Sequence, residues 1–374
     1  MTTPMQRALD LAREASSASP NPTVGAVVVT GDAIVGEGVS EPQLGGAHAE
    51  VVALREAGDR ARGATLYVTL EPCAHQGRTP PCTDAIIAAE IAEVRYAVAD
   101  PDPQVNGGGH RALEAAGIRV VAGESEDEAR RVHEAHIKHR TTGLPFVIAK
   151  FAASLDGRIA AASGDSRWVS GPETRAWSHQ LRTRIDAILV GSETVIIDDP
   201  LLTARPGDQL TERQPLCVVV DTRGRIPPMA RVFTALSASG GGPAKTFVAT
   251  VEDAPPAWRA SIEAQGAEVV VLPCRDGHVN LEALLRELGR RDIISLLVEG
   301  GGVILGGFFD RGLVDKVYAV IAPIIIGAAD APSPVAGQGA ERMADALRLR
   351  DITVDRLGED ILVTGYPEYS GVVD

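Results

Sequence analysis

Few features restrict a chain as strongly as side chains that must converge on one metal ion, and His48, Glu50, Cys73 and Cys82 have that character. His48-Ala49-Glu50 opens a helical segment behind Gly45-Gly46. Pro72-Cys73 follows the apolar run that ends at Leu70-Glu71, and Cys82 begins the next helical stretch. A catalytic zinc takes three protein ligands and keeps one position for water, and one imidazole with two thiolates is such a set. The ion acidifies its water toward neutral pH, which gives a nucleophile for an amidine-like ring carbon. Zinc deaminases carry a non-ligand glutamate two residues after the histidine as general acid and base, and Glu50 stands there. Residues two apart do not share a helix face, so the pair must sit at a helix start for both to reach one site. The usual deaminase pattern has two residues between its cysteines. Here eight intervene, Ala74-His75-Gln76-Gly77-Arg78-Thr79-Pro80-Pro81. So polar a loop beside a metal predicts substrate contacts at His75 and Arg78. The competing readings are a structural zinc site with His75 as a fourth ligand, and two unrelated buried cysteines.

The surrounding pattern is α/β. Met5, Ala8, Leu9 and Ala12 recur at helical spacing, and Val24 to Val29 reads as a buried strand after the Pro20-Asn21-Pro22 turn. Apolar runs at Ala64 to Leu70, Val94 to Val98 and Ile118 to Val121 alternate with helical stretches from Ala49, from Thr83, around Arg111 to Ala116 and across Glu124 to His139. The turn-forming Thr141-Thr142-Gly143-Leu144-Pro145 marks a domain boundary. Strand signals resume at Phe146 to Phe151, Ile185 to Val190, Leu216 to Val220, Thr246 to Thr250, Glu268 to Leu272, Ile293 to Val298 and Lys316 to Ala322. A chain of 374 residues exceeds one ordinary core, so two α/β domains are expected. Ser237 to Pro243 reads as a loop by composition.

A formal net charge of −14 and an aromatic share of 4% argue against a basic groove with stacking residues, which excludes long nucleic acid as a partner. No run of about 18 apolar residues occurs, so no membrane span is expected. Arg7, Asp10, Arg13 and Glu14 break up the apolar stretch that a signal peptide would need. The chain therefore reads as cytoplasmic, where four cysteines do not imply a disulfide framework. Cys217 and Cys274 read as packing cysteines. His110, His133, His136, His139, His179 and His278 lack a matching cluster and read as surface or helix-face residues.

In the second half, Leu296-Leu297-Val298-Glu299-Gly300-Gly301-Gly302-Val303-Ile304-Leu305-Gly306-Gly307 runs from a strand through a glycine turn into a helix. Free N–H groups at such a turn can face an anionic cofactor, and a tight structural turn explains the glycines equally well. The spacing is neither the Walker A nor the Gly-x-Gly-x-x-Gly pattern.

The chain resembles the bifunctional riboflavin-biosynthesis deaminase/reductase family. The matching motifs in the first half are Asn21-Pro22-Thr23-Val24-Gly25, His48-Ala49-Glu50, Thr69-Leu70-Glu71-Pro72-Cys73, His75, Gly77-Arg78-Thr79-Pro80-Pro81-Cys82 and Ala99-Asp100-Pro101. In the second half they are Ala153-Ser154-Leu155-Asp156-Gly157, Trp168-Val169-Ser170, Asp198-Asp199-Pro200-Leu201-Leu202-Thr203 and Glu299-Gly300-Gly301. Essentially the whole chain is covered.

The resemblance implies a cytidine-deaminase-like three-layer domain over residues 1–143 and a dihydrofolate-reductase-like domain over 144–374. The first reaction it implies is zinc-dependent deamination of 2,5-diamino-6-ribosylamino-4(3H)-pyrimidinone 5′-phosphate. The second is reduction of the ribosyl group to ribityl by NADPH. His48, Cys73 and Cys82 would hold one zinc ion, Glu50 would be the proton shuttle, and Asn21 would contact the pyrimidine.

By the same resemblance NADPH would lie against Ala152, Trp168, Thr194, Asp198, Thr222 and a phosphate loop of Gly301, Gly302, Val303, Ile304, Leu305, Gly306 and Gly307. Ser166, Arg182, Leu202, Arg205 and Glu299 would contact the substrate, with the arginines on its phosphate and Asp198 as proton donor. The partners implied are a phosphoribosyl pyrimidine and, through the reductase domain, a second copy of the chain. Ser40 stands where the family commonly has histidine, and Gly108 where it has lysine or arginine. Two other readings of the residues remain: a zinc deaminase of another nucleobase, and a zinc-stabilised binding module without catalysis.

Overall fold

The computed structural model describes residues 2–15, 19–42, 45–77, 79–102, 105–234 and 246–369. Arg78 and the loop Ser237 to Pro243 lie outside the described residues. The chain divides into two compact units, Met1–Leu144 and Pro145–Asp374.

The first unit runs α1 (Pro4–Glu14), β1 (Gly25–Thr30), β2 (Ala33–Val39), α2 (Ala49–Ala57), β3 (Thr65–Leu70), α3 (Cys82–Ala88), β4 (Glu93–Val98), α4 (Gly108–Ala115), β5 (Arg119–Ala122), α5 (Glu126–Val132) and α6 (Glu134–Thr142). Its sheet has the order β2-β1-β3-β4-β5, with β1 antiparallel to both neighbours and β3, β4 and β5 parallel. The predicted Met5, Ala8, Leu9 and Ala12 stripe is buried, and the Thr3 hydroxyl caps the N-terminus of α1.

Two glycines show how the layers form. A Cβ on Gly25 would come within 2.0 Å of the Ala8 carbonyl oxygen of α1, and one on Gly38 within 2.2 Å of the Ala49 carbonyl oxygen of α2. Gly38 pairs with Ala26, the neighbour of Gly25, and successive strand residues point to opposite faces. Helices α1 and α2 therefore cover opposite faces of the sheet, which makes three layers.

The expected single helix across Glu124 to His139 is two helices, broken at His133. The surface reading of His133 and His136 is corrected: they are 2% and 5% exposed. His133 Nε2 lies 3.0 Å from Thr69 Oγ1 and His136 Nε2 lies 3.3 Å from Asp100 Oδ1, so strand-end polar groups draw both rings inward. Strand β2 carried no sequence expectation, because Gly36 and Gly38 interrupt its apolar alternation.

The second unit begins β6 (Phe146–Ser154), α7 (Pro172–Arg182), β7 (Ala187–Gly191), α8 (Ser192–Asp198), β8 (Leu216–Val220), β9 (Thr246–Thr250), α9 (Pro256–Glu263) and β10 (Glu268–Val271). It continues β11 (Cys274–Arg275), β12 (His278–Val279), α10 (Leu281–Gly289), β13 (Ser295–Val298), α11 (Gly302–Asp310), β14 (Lys316–Ala322), β15 (Arg348–Leu357) and β16 (Asp360–Glu368). The main sheet is ordered β10-β9-β8-β7-β13-β6-β14-β16-β15. It is parallel from β10 to β14, and the last two strands are antiparallel. The buried strands β7, β8, β9 and β13 are the near-continuous apolar runs that a covered parallel sheet requires. Strands β15 and β16 escaped prediction because β15 is exposed along almost its whole length and carries charges at Arg348, Arg350, Asp351, Asp355 and Arg356. Cys274 is exposed, which corrects its reading as a packing cysteine; Cys217 is buried. Among the described residues no helix is long and apolar enough to cross a membrane.

Candidate active sites

In the first unit the functional side chains gather where β3 ends and α2 and α3 begin. His48 is the N-cap residue of α2 in extended backbone, and Glu50 lies in the first turn. That start lets residues two apart reach one point, as their spacing demanded. Cys73 comes three residues after β3, and Cys82 is the first residue of α3.

His48 Nδ1 stands 3.1 Å from Cys82 Sγ and 3.6 Å from Cys73 Sγ. The three donor atoms lie within 4.8 Å of one another, a group of one imidazole and two thiols that could hold a metal ion. His75 is not in that group, although it sits in the same loop, half-buried with Nδ1 unpartnered. Three donors with no fourth ligand among the described residues match a catalytic zinc better than a structural one.

The electrostatics suit a cation. The hydrogen bond from Cys82 holds the Cys73 thiol down to about 4, against burial and with help from His48. The same interaction pushes Cys82 upward, and burial adds to it. The hydrogen bond with Cys73 raises His48. Burial raises the Glu50 carboxyl, the Cys73 charge adds to that, and Glu50 also hydrogen-bonds the Cys82 side chain. Glu50 is 4% exposed, a buried carboxyl beside the group that could bind a cation.

The family departures have structural places. Ser40 is buried, and its Oγ accepts the Val24 N–H at 3.1 Å, closing the entry to β1. Gly108 opens α4, where a Cβ would lie 3.9 Å from Ala74 in the loop after Cys73. Asn21 is half-buried ahead of β1. Glu71 was not singled out from sequence. Its oxygens accept the Gly107 and His110 N–H groups at 3.0 and 3.1 Å, which ties the start of α4 to this loop.

In the second unit the carboxyl ends of β6, β7, β8 and β13 open on a cavity of about 1080 Å3. Ligands bind at such strand ends in open α/β sheets. Ala152, Thr194, Asp198, Thr222, Glu299 and the turn Gly301 to Leu305 line it, as does Gly307. Gly301 has φ +73, a conformation that favours glycine, and it caps α11, whose first residues line the cavity. Gly306 is different: a Cβ there would come within 1.5 Å of the Ala336 carbonyl oxygen, so it packs a loop and does not line the cavity. Ser166 Oγ donates to Asp198 Oδ1 at 2.8 Å, which joins an expected substrate contact to an expected cofactor contact.

Arg182 ion-pairs with Glu299 and donates to the Thr203 carbonyl at 3.1 Å. Leu202 is buried, and the Nε atoms of Arg182 and Arg205 are buried with no hydrogen-bond partner among the described residues. Trp168 is 68% exposed beneath the Arg175 guanidinium, 4.7 Å from its ring centre. Trp168, Arg182, Leu202 and Arg205 lie outside the lining of the cavity.

Lys150 was missed. Burial lowers its pKa, and its Nζ lies 4.0 Å from Glu299 Oε1. The signal was a lysine inside the apolar strand Phe146–Ser154. Arg182 and Lys150 together keep the buried Glu299 below the usual carboxylate range against desolvation.

A three-donor metal centre on a three-layer fold, followed by a parallel-sheet unit with a cofactor-sized cavity, defines a two-domain deaminase and reductase. Residues 2–98 match the cytidine and deoxycytidylate deaminase zinc-binding region, and residues 145–363 match the RibD C-terminal domain. The chain is 43% identical to the riboflavin biosynthesis protein RibD of Synechocystis sp. over 368 residues, covering 97% of this chain and 95% of that protein. The solved structure of Acinetobacter baumannii RibD superposes with a TM-score of 0.85 at 36% identity, covering 98% of each chain. The diaminohydroxyphosphoribosylaminopyrimidine deaminase/5-amino-6-(5-phosphoribosylamino)uracil reductase of Thermotoga maritima does so with 0.82 at 35%, again over 98% of each. The chain belongs to the RibD family of bifunctional deaminase/reductases of riboflavin biosynthesis.

Proposed function

We propose that the first unit deaminates 2,5-diamino-6-ribosylamino-4(3H)-pyrimidinone 5′-phosphate and that the second reduces the ribosyl group of the product to ribityl with NADPH. The convergence of His48, Cys73 and Cys82 within 4.8 Å carries the first half. These three would hold a zinc ion, whose chemistry there would be to acidify a water toward neutral pH for hydrolytic deamination. Glu50, buried in the first turn of α2 against the Cys82 side chain, would be the group that holds and passes the proton to the leaving amine. Asn21 would contact the pyrimidine, and His75 and Arg78 would be further substrate contacts.

In the second unit the N–H groups from Gly301 onward receive the NADPH phosphates. Ala152, Thr194, Thr222 and Asp198 would border the cofactor, with Trp168 as a further contact. The substrate lies against Ser166, Leu202 and Glu299, with its phosphate on Arg182 and Arg205, whose fork-shaped donors suit phosphate. Glu299, held charged by Arg182 and Lys150, orients the opened sugar, and Asp198 delivers the proton that accompanies hydride transfer.

Glu50→Gln is expected to retain zinc and to abolish ammonia release while NADPH oxidation with the deaminated substrate persists. Surviving ammonia release removes Glu50 as the shuttle. The proposed location is the cytoplasm, where Cys73 and Cys82 stay reduced. The reductase unit is proposed to pair with a second copy. Support comes from β15, an edge strand with Ile352 and Val354 exposed at 57% and 64%. A solution mass of one chain would remove that proposal.

A further inference from the structure

The eight residues between Cys73 and Cys82 do more than carry substrate contacts. His48 presents Nδ1 to both thiols, and its other ring nitrogen, Nε2, lies 3.2 Å from Thr79 Oγ1. An imidazole that ligates through Nδ1 must carry its proton on Nε2, and that N–H needs an acceptor to hold ring and tautomer in place. We propose that Thr79 is a positioning residue for the metal centre: its hydroxyl accepts the His48 Nε2–H and so keeps the Nδ1 lone pair aimed between Cys73 and Cys82. The inference rests on the zinc-site reading above.

The loop is shaped for this task. The Gly77 N–H donates to the Thr79 carbonyl at 3.2 Å, which ties Thr79 to the middle of the loop. Pro80 and Pro81 follow. The residue before a proline is held away from helical backbone, and proline fixes its own φ, so little freedom remains between Thr79 and the start of α3 at Cys82. Thr79 and ligand Cys82 are thus spaced by a stiff pair of prolines. At the loop's end the Cys82 N–H donates to Cys73 Sγ at 3.4 Å, so one segment supplies a ligand, a hydrogen bond to the other thiolate and the outer partner of the histidine.

The acceptor's chemistry also matters. Two thiolates already balance a divalent cation, and a carboxylate on His48 Nε2 would add a negative charge beside buried Glu50. A hydroxyl fixes the ring without adding charge.

Outer partners of ligating histidines typically contribute 10- to 100-fold in metal affinity. Thr79→Val keeps shape and volume but removes the acceptor, and Thr79→Ser keeps the acceptor. The test is chelator competition for zinc on the full-length protein, with thermal unfolding of the zinc-stripped protein alongside. The expected result is about 10- to 100-fold weaker zinc binding for Thr79→Val, near-wild-type binding for Thr79→Ser, and unchanged unfolding of all three stripped proteins. Unchanged zinc affinity in Thr79→Val overturns the inference. So does a Thr79→Ser variant as weak as the valine one, or a valine variant whose stripped form unfolds early in proportion to its loss. A wild-type protein that retains no zinc overturns the zinc-site reading itself, which separates the two failures.

Discussion

The two centres are built on opposite principles. In the deaminase unit, three donor atoms within 4.8 Å and one buried carboxyl make up the candidate centre, and most of them sit at the starts of short helices. In the reductase unit a cavity of about 1080 Å3 is lined largely by strand ends and a glycine turn, and backbone conformation matters as much as side-chain identity. A side-chain centre should fail completely when one donor is lost. A backbone-lined cavity should degrade by degrees.

The largest expected effect tests the first half of that contrast. Cys82→Ser should cost the zinc and with it ammonia release, by at least the 10²–10⁴-fold that proton transfer alone contributes, while reduction of the deaminated substrate continues. Metal analysis and separate assays of the two half-reactions decide it. Loss of both activities would break the idea of two independent centres.

A smaller effect follows from His133, whose pKa burial depresses to about 3, with the His136 charge adding to it. The unfolded chain, with its histidine near 6.5, binds this proton more readily than the folded one. Stability from this group is therefore complete above about 6.5 and falls as pH drops toward 3, by about 1.4 kcal/mol per pH unit in mid-window. His133→Gln, which can still meet Thr69, should flatten that dependence in pH-resolved denaturation; an unchanged slope assigns it elsewhere.

The smallest effect belongs to the cavity. Gly301→Ala forces a Cβ into backbone at φ +73, at a cost of about 1–2 kcal/mol. The KM for NADPH is expected to rise about tenfold with ammonia release untouched. An unaltered KM would mean that the turn only shapes the chain.

The metal group was legible because its chemistry is written in residue types and short spacings. His48, Glu50, Cys73 and Cys82 span 35 positions, and each sits at an element boundary that glycine, proline or apolar runs announce. The reductase contacts were legible only through family resemblance. A guanidinium such as Arg182 looks like any surface charge until Glu299, 117 residues away, is folded against it.

What the sequence determined by itself is the α/β alternation, two domains, and one histidine, two cysteines and a glutamate suited to zinc chemistry. These depend on local backbone preference and on atoms that must meet a metal. Tertiary structure alone decided that Nδ1 of His48 faces the thiols while Nε2 faces Thr79, that His133 and His136 turn inward, and that Gly306 packs against Ala336. It also brought Lys150 to Glu299. Each of those depends on which surfaces pack across tens to hundreds of residues, and spacing along the chain carries no record of that.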